Sequence, residues 1–170
     1  MGAATEAGRN VGLFEREREL EVVERALAGV GEGSGRLVLV SGPAGIGKTR
    51  VLRAAEVLTE KSGLGLLRAR GGDLEREFPF GVMRQLLEPA IRTASADERR
   101  ELLSGPAELA SELLLGGAST EAEPAALDHA LYWLVANLAD RAPLALSVDD
   151  LHWADGPSLR ALVHLVRRLD

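Results

Sequence analysis

The stretch Gly42-Pro43-Ala44-Gly45-Ile46-Gly47-Lys48-Thr49 has the residue types, at the spacing, that cradle a polyphosphate: GxxxxGK[ST] with every required position filled. Gly42, Gly45 and Gly47 let the backbone curl until successive N–H groups point inward at phosphate oxygens. Lys48 is placed to reach the β- and γ-phosphates, and the Thr49 hydroxyl to bind Mg2+. Arg50 closes the candidate cofactor-binding segment, in which Lys48 is also a candidate catalytic charge. Lys48 and Lys61 are the only lysines in a chain rich in arginine, so Lys48 is not background. A glycine-rich turn with a surface lysine would look similar in isolation. The context separates the two. Leu37 to Val40 precede the glycines as a short apolar run, the pattern of a strand buried on both faces. Val51, Leu52, Ala55 and Leu58 follow on one helical face, and the N-terminus of that helix adds its positive dipole end. A nucleoside triphosphate is the expected ligand.

Asp149 and Asp150 close a second apolar run, Leu144 to Val148. A carboxylate at the carboxyl end of a parallel strand sits where open α/β sheets place their ligands. Asp149 is the candidate metal residue together with Thr49, the Walker B role, and Asp150 the candidate to orient or deprotonate an attacking water. Alone, an apolar run ending in two acids is an ordinary strand-to-turn boundary; the phosphate loop upstream gives it meaning. His129, His152 and His164 show no metal-ligand spacing. Ser158 lies on no Gly-x-Ser-x-Gly elbow, so a hydrolase triad with His152 and Asp149 is not indicated.

These residues need a scaffold, and the totals allow one. The chain has 170 residues, 46% of them hydrophobic, enough for a core. A net charge of -6 gives no electrostatic footprint for nucleic acid or an anionic membrane. With no cysteine there is no disulfide framework or thiolate chemistry, which fits a reducing cytoplasm. Residues 1–10 are polar, without the apolar core of a signal peptide, and read as a disordered start. The longest uncharged apolar stretch, Ala130 to Ala139, is far shorter than the ~20 residues that span a bilayer.

Periodicity supplies the elements. Arg16 to Val30 reads as an amphipathic helix, ended by the glycines at 31, 33 and 35. Gly63 to Arg70 is a second strand candidate. Val82, Met83, Leu86, Leu87, Ala90 and Ile91 form a helical stripe that Pro89 is expected to kink or end near Glu88. Asp97 to Leu115 reads as one or two helices broken around Gly105-Pro106, and Gly116 to Glu123 as a loop. Pro124 suits a first helical position, ahead of the stripe Leu127, Ala130, Leu131, Leu134, Val135 and Leu138. Asp155 can cap a last helix with Leu159, Leu162, Leu165, Val166 and Leu169 on its core face. Phe78-Pro79-Phe80-Gly81 suggests only aromatics seating a loop, and Trp153 a packing anchor. Strands alternating with helices give an α/β fold, a P-loop NTPase with a parallel sheet flanked by helices.

Taken together, GPAGIGKTR at Gly42 to Arg50, EREFPFGVMRQLLEP at Glu75 to Pro89 and VDDLHWADGPSL at Val148 to Leu159 resemble the ATPase module of STAND-type AAA+ signalling proteins. The likeness is greatest to large ATP-binding LuxR-family transcriptional regulators, and runs from about Val11 to Asp170. The resemblance implies a switch that binds ATP with Mg2+, self-associates in the intact parent, and resets through slow hydrolysis to ADP. It places nucleotide on Gly42, Gly45, Gly47, Lys48 and Thr49, Mg2+ on Asp149, and assistance to hydrolysis on Asp150. It also implies DNA binding by a separate C-terminal helix-turn-helix, not by this segment. In such sheets the strand after Walker B lies between the phosphate-loop and Walker B strands. Residues 11–170 are therefore expected to be a partial domain lacking that strand, with Leu37 to Val40 and Leu144 to Val148 each short of a central neighbour. A small-molecule or nucleotide kinase, and a non-catalytic nucleotide-binding or interaction fragment, are the alternative readings.

Overall fold

The computed structural model describes residues 16–31, 33–73, 76, 78–116 and 122–169. The expected disordered start, and most of the expected loop at 116–123, lie outside them. In chain order the elements are α1 (Glu17–Gly31), α2 (Lys48–Lys61), β1 (Gly65–Arg70), α3 (Gly81–Thr93), α4 (Ala96–Leu102), α5 (Ala110–Leu115), α6 (Pro124–Arg141), β2 (Leu144–Asp149) and α7 (Gly156–Val166). Short 3-10 turns occupy Gly105–Leu109 and Leu151–Trp153. The expected break at Gly105-Pro106 and the helix start at Pro124 are both present.

β1 and β2 pair in parallel, with Leu67 opposite Leu146, Ala69 opposite Val148 and Arg70 opposite Asp149. Side chains alternate between the two faces of a strand, and this alternation sorts the sheet. Leu67, Ala69, Leu146 and Val148 face the main core, built by Met83, Leu86, Leu87 and Ile91 of α3, Leu114 of α5, and Leu131 and Leu134 of α6. Arg68, Ser147 and Asp149 face α2. There Glu56 accepts hydrogen bonds from Arg68 and Ser147, and Glu60 pairs with Arg68 at 2.6 Å. One face is thus apolar and the other is fastened by polar side chains. The period of two delivers Asp149 to the α2 side.

Two expectations need correction. Leu37 to Val40 form no strand ladder, and they are not buried on both faces: Leu37 is 62% and Leu39 72% exposed. A strand is defined by a neighbour that takes its main-chain hydrogen bonds, and the sheet of the described residues contains only β1 and β2. An apolar run carries no information about whether that neighbour is there. Secondly, Pro89 does not end its helix, since α3 runs on to Thr93. Leu86 and Leu87 before it and Ile91 after it are all buried in the core, and their burial outweighs the hydrogen bond that proline cannot donate.

Candidate functional site

The phosphate-loop glycines adopt the backbone that their lack of a side chain permits, with φ at 156° for Gly42, 78° for Gly45 and 97° for Gly47. Gly47 is the cap residue of α2, and no side chain caps that helix, so its first N–H groups face the loop. Ser41 to Ile46 are exposed to solvent. Lys48 Nζ donates to the carbonyls of Gly42 and Pro43, each at 3.0 Å, so the ammonium sits across the mouth of its own loop. Arg16, just before α1, braces the loop from outside by donating to the Ile46 carbonyl at 2.8 Å. Arg50 follows on the first turn of α2 and is exposed.

Across the sheet, Asp149 ends β2 on the face that meets the start of α2. The Thr49 hydroxyl donates to Asp149 Oδ1 at 3.2 Å, joining residues 100 positions apart. The same oxygen accepts from the Asp150 N–H at 2.9 Å. These are hard oxygen donors, and Mg2+ uses few of them from protein when phosphates and water complete its shell. Among the described residues no group of three or more His, Cys, Asp or Glu could hold a metal alone. The pair therefore suits a cation that arrives with phosphate, not a protein-only cage.

Asp150 breaks the strand alternation. Its φ of 50° is left-handed, and the carboxylate swings to Arg70, whose Nε and Nη2 reach Oδ2 at 3.0 and 2.8 Å. That hydrogen-bonded carboxylate raises the Arg70 pKa above its ordinary value. Gln85 of α3 grips the Arg70 main chain twice, accepting from its N–H at 3.0 Å and donating to its carbonyl at 3.1 Å. Trp153 lies under the Arg76 guanidinium at 5.4 Å, and His152 beside it is exposed.

A P-loop opening a helix beside a sheet strand that ends in two acids is the arrangement of one large group of proteins, and comparison with known families agrees. Residues 12–170 match the AAA ATPase domain. The chain belongs to that family. This AAA ATPase domain is similar to an uncharacterized protein of Rhizobium meliloti (strain 1021), 28% identical over 177 residues that take in 92% of the chain. The chain spans 17% of that relative's length. No solved structure matches it significantly. The family is one of ATP-binding P-loop NTPases. Among the described residues no helix of this AAA ATPase domain is long and apolar enough to cross a membrane.

Sequence reasoning had named Lys48, Thr49, Asp149 and Asp150, and the structure brings them to one end of the sheet. It had missed Arg70, Gln85 and Arg16. The only signal for Arg70 was a charge at the end of a strand candidate, and its partner depends on a register that spacing does not reveal.

Proposed function

We propose that this AAA ATPase domain binds ATP with Mg2+ and hydrolyses it slowly, as the switch module of a signal-responsive transcriptional regulator. The observation that carries the nucleotide reading is the Thr49–Asp149 contact at 3.2 Å, which joins the phosphate loop to the acidic strand end. Bound Mg2+ and ATP would supply the divalent charge and the transferable γ-phosphoryl group. Towards them, the main-chain N–H groups of residues 44–49, at the loop and the start of α2, would hold phosphate oxygens. Lys48, which donates to the carbonyls of Gly42 and Pro43 in this structure, would supply its positive charge to the phosphates. Thr49 and Asp149, bonded to each other in this structure, would hold the cation. Asp150 orients the attacking water and accepts its proton. Arg70, whose Nη2 holds Asp150 Oδ2 at 2.8 Å, fixes the direction of that carboxylate. The regulatory role, self-association of a longer protein, and DNA recognition outside this segment rest on the sequence resemblance and belong to the same proposal.

Calorimetric titration of the folded chain with ATP, with and without Mg2+, tests the reading. Wild type should bind ATP more tightly with Mg2+. Lys48→Ala should weaken binding by about tenfold or more in both conditions, a loss of about 1.4 kcal/mol. Asp149→Ala should remove only the gain from Mg2+. No heat from wild type with ATP and Mg2+ would reject the proposal.

A further inference from the structure

The turn from Asp150 to Ala154 carries the water-directing acid, and its anchorage lies outside the nucleotide motifs. Asp155, just beyond it, is 2% exposed and was expected only to cap α7. It does so, accepting from the Ser158 N–H at 2.8 Å. The same carboxylate also accepts from the N–H groups of Phe80 at 2.7 Å and Val82 at 3.3 Å, at the start of α3. Ser158, fully buried, takes the next donor, the Met83 N–H, at 3.1 Å. α3 has no side-chain cap of its own: its cap residue is Phe80, with φ of 62°. The donors that a helix start leaves unpaired are met instead from α7, more than 70 residues later in the chain.

We propose that Asp155 is a positioning residue for Asp150, and that Phe78-Pro79-Phe80-Gly81 serves to present the Phe80 N–H to it. Two arms join Asp155 to Asp150. One is the turn itself, five residues along the chain from Asp150 to Asp155 at about 3.3–3.6 Å each at most. The other runs through space: Asp155 fixes the start of α3, α3 carries Gln85, Gln85 holds the Arg70 main chain, and the Arg70 guanidinium holds Asp150. The loop closes on the carboxylate that the proposed function assigns to water, and the inference rests on that reading for its catalytic meaning. The anchorage itself does not. An amide at position 155 cannot replace the carboxylate. Phe80 and Ser158 donate to Oδ1 and Val82 to Oδ2, so either orientation of an Asn turns its NH2 against at least one N–H.

Asp155→Asn in the full chain tests this with two readouts. Amide hydrogen exchange without nucleotide should show protection at the Asp150 and Trp153 N–H groups falling about tenfold or more, with α2 and α6 unchanged. In titrations with ATP, affinity with and without Mg2+ should stay within about twofold of wild type, while turnover falls by about tenfold. Wild-type protection at Asp150 and Trp153 in the variant would overturn the positioning role. Should protection be lost throughout the chain, Ser158→Ala, which removes only the acceptor for Met83, decides by the same amides with a smaller fall. Absence of ATP binding by wild type would defeat the functional reading alone, because the exchange measurement needs no ligand.

Discussion

Asp149 and Asp150 are neighbours in the chain with opposite surroundings. The strand alternation turns Asp149 to α2 and the Thr49 hydroxyl, whereas the left-handed backbone at Asp150 turns the next carboxylate to Arg70. Arg70 is 67% exposed and its partner Asp150 26%, so the pair is open to solvent and its loss should alter stability little. Its effect should be chemical. Arg70→Ala removes the guanidinium that fixes the Asp150 carboxylate, so turnover should fall by about threefold or more at unchanged ATP affinity. Asp150→Asn should go further, abolishing turnover while ATP still binds. Phosphate release at saturating ATP measures both, and a rise in turnover for Arg70→Ala would show that the arginine restrains Asp150 and does not position it. Lys48, Thr49, Asp149 and Asp150 were legible in the sequence because their chemistry is tied to local spacing. Arg70 was not, because only the pairing of β1 with β2 puts it there.

At the scale of elements, what the sequence showed depends on where each element is decided. α2 and α7 were legible because a glycine loop and an Asp155 cap announce them within a few residues. The start of α3 was not, because its caps come from α7, and the aromatic segment before it looked like packing. The end of β1 has a similar dependence. Gly71 donates to the Asp149 carbonyl at 2.9 Å, and a Cβ there would lie 2.4 Å from the Asp150 carbonyl oxygen and 3.0 Å from main-chain atoms of Trp153 and Ala154. Main chain cannot swing aside as a side-chain tip can. Gly71→Ala should therefore cost about 1–3 kcal/mol and displace the turn that carries Asp150. Gly156→Ala is the control: it meets nothing within 4 Å in the first turn of α7, and should be neutral or stabilising by about 0.5 kcal/mol. Urea midpoints distinguish the two, and an unperturbed Gly71→Ala would show that the turn has slack.

For the molecule as a whole, helix stripes were the most legible feature, since Met83, Leu86, Leu87, Ile91, Leu131 and Leu134 are buried as their spacing implied. On the last helix, however, only Leu162 and Leu165 of the expected core face pack on the core, and Leu159, Val166 and Leu169 are exposed. The sheet was less so, because periodicity reports apolar residues but not neighbours: Leu37 to Val40 read as a buried strand, and only the family resemblance implied that they are short of a central neighbour. Polar joints between helices were invisible, and one should govern the response of the fold to pH. At the joint of α6 and α7, Arg160 pairs with Asp128 at 2.7 Å, and His164 has a buried Nε2 without a hydrogen-bond partner. Burial foremost, then the positive Arg168, lower the His164 pKa below the ordinary 6.5; His129 and Arg167 add to this and Asp128 opposes it. The folded chain thus keeps His164 neutral at a pH where the unfolded chain has taken up a proton. The contribution vanishes above pH 6.5, and stability is lost as pH falls from 6.5 towards the lowered folded value. Glu19 and Glu98 act separately, since their lowered pKa values give stability that is present above 4.5 and lost as pH falls below it. Urea midpoints taken stepwise from about pH 8 to about pH 4 should show a first decline beginning near 6.5. His164→Gln should flatten that first decline and leave the acid branch intact. An unchanged first decline in the variant would place the titrating group elsewhere.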